Sequence, residues 1–144
     1  MFNKKFKKNN KGFSLVELII VIAIMAALVA ILAPQYIKYV EKSRQAADIS
    51  AADSIMGAVK TVALDPETYD LAKGGYTVKW AATTGAVTVS AGADTDGKLE
   101  KAVQAIVGET IKPKGKDFAD TTFAYGTDGK VTVAGATYIE NNYK

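Results

Sequence analysis

One carboxylate stands alone in a long apolar run. Between Phe13 and Ala33 the only ionisable side chain is that of Glu17, and five lysines (Lys4, Lys5, Lys7, Lys8 and Lys11) precede the run without an acid among them. A charge at membrane depth is costly, and where one occurs it usually has a partner and a job. Two chemistries suit Glu17. It can pair with a cation, the nearest on the chain being Lys11. As the last residue of Ser14-Leu15-Val16-Glu17 it also fits the capping box, in which a glutamate accepts a hydrogen bond from a backbone N–H at a helix start. Both remain open on the residues alone, and they are compatible in different states.

Composition narrows the remaining chemistry. The chain has no cysteine and no histidine. It therefore offers no disulfide, no thiolate zinc site and no Ser–His or Cys–His nucleophile. Asp94-Thr95-Asp96-Gly97 is similar to the start of a calcium loop. Its glycine stands fourth rather than sixth, however, and no correctly placed final glutamate follows, so a solvated turn or helix N-cap fits better. Asp117 and Asp120 read as loop carboxylates on which nothing converges. No metal, no cofactor and no enzymatic activity is expected. Trp80, Phe123, Tyr125 and Tyr138 read as sheet core rather than a receptor surface, because they alternate along strands. Lys112, Lys114 and Lys116 flank Pro113 and Gly115. They read as an exposed loop that can touch an anionic surface only at screened strength.

The element that must position Glu17 is the apolar run itself. Its 21 residues, at ~1.5 Å per residue, span roughly 31 Å, about the hydrocarbon thickness of a bilayer. Leu, Ile, Val and Ala cover every face, which excludes an amphipathic surface helix. The upstream lysines put the N-terminus in the cytoplasm by the positive-inside rule, and the remainder outside. A cleavable secretory signal fits poorly, since no Ala-x-Ala follows the run and Pro34 comes directly after the only plausible cut. An uncleaved signal anchor carrying a monomeric extracellular binding domain fits better and stays an alternative.

Past Pro34 the pattern changes. Ile37, Val40, Ala47, Ala51, Ile55, Ala58 and Val62 recur at helical spacing, with Glu41, Lys42, Arg44, Asp48, Asp53 and Lys60 largely between them. This predicts an amphipathic helix with one packed and one solvated face. Asp65-Pro66 ends it, because the residue before proline disfavours helix. A helix from Phe13 to Leu64 is roughly 78 Å long. Pro34 lacks an amide donor and predicts a kink or a simple membrane-exit breaker. Gly57 is a second weak point, explained by close packing against the following domain.

Residues 65–144 read mostly as strand. Residues 76–81 and 86–90 alternate on either side of a Thr83-Thr84-Gly85 turn, and 122–125 and 130–133 flank Thr127-Asp128-Gly129, a strong hairpin signal. Leu99, Ala102, Val103 and Ile106 predict a short helix ending at Gly108. Tyr138-Ile139 adds a final short strand. The fold class is α+β, a long N-terminal helix packed on an antiparallel sheet. Of 18 basic residues, five lie in the N-terminal segment, leaving 13 against 15 acids. The basic character therefore belongs to the N-terminus, and the head lacks the charge expected of a nucleic-acid surface.

Gly12-Phe13-Ser14-Leu15-Val16-Glu17-Leu18, behind a basic leader and before a membrane-length run, resembles the class III signal of type IV pilins. The resemblance is strong over residues 1–64 and holds only in outline beyond. It implies a leader, 1–12, cut after Gly12 by a prepilin peptidase, and Phe13 as the N-methylated first residue. It implies a transmembrane and assembly helix over 13–34, an amphipathic half over 35–64 and a globular head over 65–144. Glu17 matches the assembly glutamate that pairs with the N-terminal amine of a neighbouring subunit, although the chain's own amine is also near. Pro34 matches a proline that interrupts the helix in many members. The implied role is structural: a major pilin, held in the cytoplasmic membrane and then polymerised into a surface pilus for adhesion, motility or aggregation. A DNA-uptake role stays open. The implied partners are other pilins, a peptidase, a membrane platform protein and assembly ATPases. A pseudopilin or minor pilin is the near alternative. Many pilins close their C-terminal region with a disulfide; this chain must use hydrogen bonds, apolar packing or strand pairing, and in lacking cysteine it resembles Gram-positive, clostridial-type pilins.

Overall fold

A computed structural model describes residues 12–144. The chain divides into two compact units, one ending at Tyr39 and one running from Val40 to Lys144. Helix α1 covers Leu15–Leu64. Its apolar beginning is rich in Leu, Ile, Val and Ala, and this part is long and apolar enough to cross a membrane. The helix ends one residue before Asp65-Pro66, as the proline rule predicts. Pro34 lies inside α1 rather than at its end. Lacking an N–H, it leaves the carbonyl of Ala30 without its usual helical donor.

The second unit adds α2 (Tyr69–Ala72), β1 (Tyr76–Trp80), β2 (Val87–Ser90), α3 (Lys98–Val107), β3 (Thr121–Tyr125), β4 (Val131–Ala134) and α4 (Thr137–Glu140). The four strands form one antiparallel sheet in the order β2-β1-β3-β4. β1 and β2 are joined by the turn at Gly85, whose φ is +72°. A Cβ there would stand 2.6 Å from the Ile111 carbonyl oxygen, so only glycine fits. β3 and β4 are joined at Gly129, as the Thr-Asp-Gly signal predicts. The central pairing runs from Tyr76 opposite Tyr125 to Trp80 opposite Thr121.

Alternation along β1 sends Tyr76, Val78 and Trp80 to the covered face, joined there by Phe123 from β3 and Val87 from β2. Against them pack Ala52, Ile55, Ala58, Val59, Val62 and Ala63 of α1, with Leu99 and Val103 of α3 and Ile139 of α4. The edge strand β2 is partly closed by side chains of α3: Glu100 accepts from the Val89 N–H and Gln104 donates to the Val87 carbonyl.

The expected α+β architecture is present, with four differences in detail. Tyr138-Ile139 is not a strand. β4 stops at Ala134, Gly135 turns the chain with φ +143°, and the Ile139 and Glu140 N–H groups bond back to the Ala136 carbonyl as a helical turn. The four-residue α2, unforeseen, follows the Asp65-Pro66 break. Gly57 is exposed, with nothing within 4 Å of the Cβ it lacks, so it does not serve close packing. On α1, Ile37 is exposed and Asp48, placed on the solvated face by its charge, is buried. The buried stripe of the second unit runs 48-52-55-59-62, a register one position off Ala47 and Ala51.

Candidate assembly site and head clasp

The N-terminal element begins as a half capping box. Ser14 is the residue before Leu15, and the Glu17 carboxylate turns back so that Oε2 accepts from the Ser14 N–H at 2.8 Å. Oε1 has no partner among the described residues. Gly12 and Phe13 precede the helix; Phe13 is 81% exposed, and Gly12 has open space around it. The capping geometry is thus present in the single chain and occupies one oxygen. It places the carboxylate one residue from the Phe13 nitrogen. Lys11 and the other leader lysines lie outside the described residues.

The helix that carries Glu17 is unpartnered. Every large apolar side chain from Phe13 to Leu32 is between 46% and 81% exposed. A soluble monomer rarely leaves so long a continuous apolar surface in water. Lipid, other helices or both must cover it.

The second unit holds a polar cluster that its sequence pattern concealed. Asp48 is 2% exposed. Its Oδ1 accepts the Lys114 N–H at 2.8 Å, and its Oδ2 accepts the Gly115 N–H at 2.7 Å and the Tyr138 hydroxyl at 2.7 Å. A buried carboxylate without a cation is tolerable only when hydrogen bonds replace its hydration, and three donors do so here. Seven residues earlier, about two turns, Glu41 accepts the Lys116 N–H at 2.6 Å; further along, Asp53 accepts the Tyr143 hydroxyl at 2.6 Å. A Cβ on Gly115 would meet the Tyr138 hydroxyl at 2.6 Å and Asp48 Oδ2 at 2.8 Å, so this glycine is part of the fit. Burial, and then the bond to Asp48 with the nearby charges of Asp48, Glu41 and Asp117, push the Tyr138 hydroxyl well above the usual tyrosine range. Burial and the bond to Asp53 do the same for Tyr143. Three carboxylates of one helix thereby hold the 114–116 loop and the C-terminal segment. Hydrogen bonding does the work for which a disulfide was unavailable. The signal that locates Asp48 is its place on the 48-52-55-59-62 stripe.

The other candidates resolve locally. Asp94 accepts from the Lys98 and Leu99 N–H groups and caps the start of α3, the N-cap reading of that segment. Asp120 accepts the Ala82 N–H and pairs with Lys79 at 2.8 Å, and these contacts, the backbone bond first, hold its carboxyl below the usual range. Asp117 is exposed. Among the described residues no group of His, Cys, Asp and Glu could hold a metal ion. Trp80 and Phe123 are fully buried, while Tyr125 and Tyr138 are half-buried at the margin of the core. Lys112, Lys114 and Lys116 are exposed.

Residues 7–33 match the family described as the prokaryotic N-terminal methylation motif. Among curated proteins, the chain is similar to type IV major fimbrial proteins FimA of Dichelobacter nodosus. One is 41% identical over 59 residues, covering 41% of this chain and 38% of the relative. A second is 39% identical over 64 residues, covering 44% and 40%. The chain spans about two fifths of the length of the curated relatives it matches. No solved structure matches it.

Proposed function

We propose that this chain, which carries the N-terminal methylation motif and is similar over part of its length to type IV major fimbrial proteins, is a type IV pilin and the major structural subunit of a surface pilus. The observation that carries the reading is the unpartnered apolar face of α1 with Glu17 as its only charge. Before assembly the helix sits in the cytoplasmic membrane with the basic leader inside. A prepilin peptidase cuts after Gly12, and the new amine at Phe13 is methylated. That amine remains protonatable, and an α-amino group titrating near ~8 is largely charged at neutral pH. It is the cation that the gene product as translated lacks.

In the filament the Phe13 amine of one subunit meets Glu17 of a neighbour. The Ser14 N–H already holds Oε2, which leaves Oε1 to receive the amine. Such a buried pair is better attested as a device for register than as a net stabiliser. Its role is to select the axial offset at which helices pack, while apolar contact supplies the attraction. Pro34, with its missing helical bond, marks the stretch of α1 that can open to accommodate packing. A platform protein and cytoplasmic ATPases extract and add the subunits, and the finished filament serves adhesion, motility or aggregation.

Intact mass of the mature protein tests this reading. A chain beginning at Phe13 and carrying one added methyl group supports it. A chain retaining Met1 through Gly12 refutes it and favours a monomeric, signal-anchored domain. Filaments composed mainly of another chain would make this one a minor pilin or pseudopilin.

A further inference from the structure

The head carries two exposed, oppositely charged patches at opposite ends of the α1 segment it packs. Lys112, Lys114 and Lys116 are exposed, while the residues between them, Ile111, Pro113 and Gly115, are half-buried. The N–H groups of Lys114, Gly115 and Lys116 are all bonded inward to Asp48 and Glu41. The loop is therefore pinned, and its alternation aims three ammonium groups outward. None of them has an ion-pair partner among the described residues, and Asp117 is the one acid in the segment. At the other end, Asp65, Glu67 and Asp70 crowd the chain just after Leu64, all exposed. Carboxylates are unfavourable at a helix C-terminus, where the dipole is itself negative. The last turn of α1 has no basic residue to offset them, and among the described residues only Asp70 has a cation, Lys73 at 2.8 Å.

Lys73 offsets one of the three acids, and Asp48, Glu41 and Asp117 lie close to the lysine loop, but among the described residues the ammonium groups have no direct carboxylate partner and Asp65 and Glu67 have no direct cation partner. The lysine loop is tied to α1 at Glu41 and Asp48 and the acidic turn follows Leu64, so at ~1.5 Å per residue they lie roughly 24–35 Å apart along the helix. A side chain cannot bridge that distance within one chain. A second copy displaced along the helix axis can. We infer that the Lys112–Lys116 loop of one head docks on the Asp65–Asp70 turn of another copy. The contact joins two different surfaces, and a heterologous contact that does not close generates an open helical filament. The inference rests on the filament reading and adds to it a charge-matched contact between heads. Because both patches are exposed, the contact is sensitive to salt and supplies register and partner choice more than affinity.

The test uses the full chain in cells that assemble it. Lys112→Glu with Lys114→Glu reverses one patch, and Glu67→Lys with Asp70→Lys reverses the other; Asp65 is spared because its carboxylate accepts the Glu67 N–H. Each double reversal is expected to lower the yield of sheared filaments by ~5-fold or more, and the four-residue swap to restore most of it. Restoration cannot come from a gain in monomer stability if circular dichroism shows all variants folded. Carbodiimide treatment of wild-type filaments, which couples amines to carboxylates in contact, gives a second readout independent of mutation. It is expected to yield peptides linking Lys112, Lys114 or Lys116 to Glu67 or Asp70. Normal filament yield from both reversals, additive rather than compensating loss in the swap, or absence of those cross-links overturns the inference. If the wild-type chain forms no filament at all, it is the filament reading that fails.

Discussion

Two carboxylates in this protein take opposite risks. Glu17 is exposed in the single chain, and one of its oxygens has no partner among the described residues; Asp48 is buried and has every donor it needs within the head. Their substitutions should therefore separate. Glu17→Ala is expected to leave the thermal unfolding of the head unchanged and to abolish filaments, as seen by electron microscopy of sheared material; a normal filament yield would sink its assembly role. Asp48→Ala strands two backbone donors and a hydroxyl, at about 1–3 kcal/mol for each buried group left unsatisfied. Denaturant unfolding of the detergent-solubilised chain should show a loss of at least ~3 kcal/mol, and Tyr138→Phe a smaller one of ~1 kcal/mol. Glu17 is conspicuous in the sequence because its neighbours are all apolar. Asp48 is not, because Ala47 and Ala51 offer the apolar stripe an alternative register, and charge then assigns the aspartate to water. Its place on the 48-52-55-59-62 stripe is the signal that locates it, and the loop and tyrosine that come to it from far along the chain decide between the two registers.

At the scale of elements, the regular parts were legible and the exceptions have local causes. The strands and α3 appear within a residue or two of their sequence patterns, because period-two and helical alternation reflect one-sided burial. The end of α1 was legible from Asp65-Pro66 and the β3–β4 turn from Asp128-Gly129. Tyr138-Ile139 has strand propensity yet forms α4, because Gly135 has already turned the chain and Ala136 accepts two helical bonds. The sequence marks Gly85 as a turn residue, while its close approach to Ile111 depends on a segment far along the chain. Gly85→Ala should cost about 2 kcal/mol or more in denaturant unfolding, because both φ and the Ile111 carbonyl oppose a Cβ. The tie on the C-terminal segment has its own pH signature. Burial holds the hydroxyls of Tyr76, Tyr138 and Tyr143 above their ordinary range. A group whose folded pKa is raised contributes stability that is complete below its unfolded value, near ~10 for tyrosine, and lost as pH rises toward the folded value. Stability should fall above pH ~10. Tyr138→Phe with Tyr143→Phe should flatten that alkaline decline; an unchanged slope would show that these hydroxyls do not govern it.

At the scale of the whole molecule, the chain joins an apolar helix that water cannot cover to a head that completes its own core. The head's sixteen buried apolar residues include no side chain from the first unit. Assembly through the helix need not disturb the head. On the proposed function, the partner of Glu17 is made by processing, and assembly competence is then gated by cleavage after Gly12. The most direct test is a density map of the filament at side-chain resolution. The map should show a helical assembly with α1 in its centre, beginning at a processed Phe13 whose amine lies within ~4 Å of Glu17 on a neighbouring subunit, the distance of an ion pair. A filament whose apolar helices do not form the core, or whose Phe13 amine contacts only solvent, would contradict it.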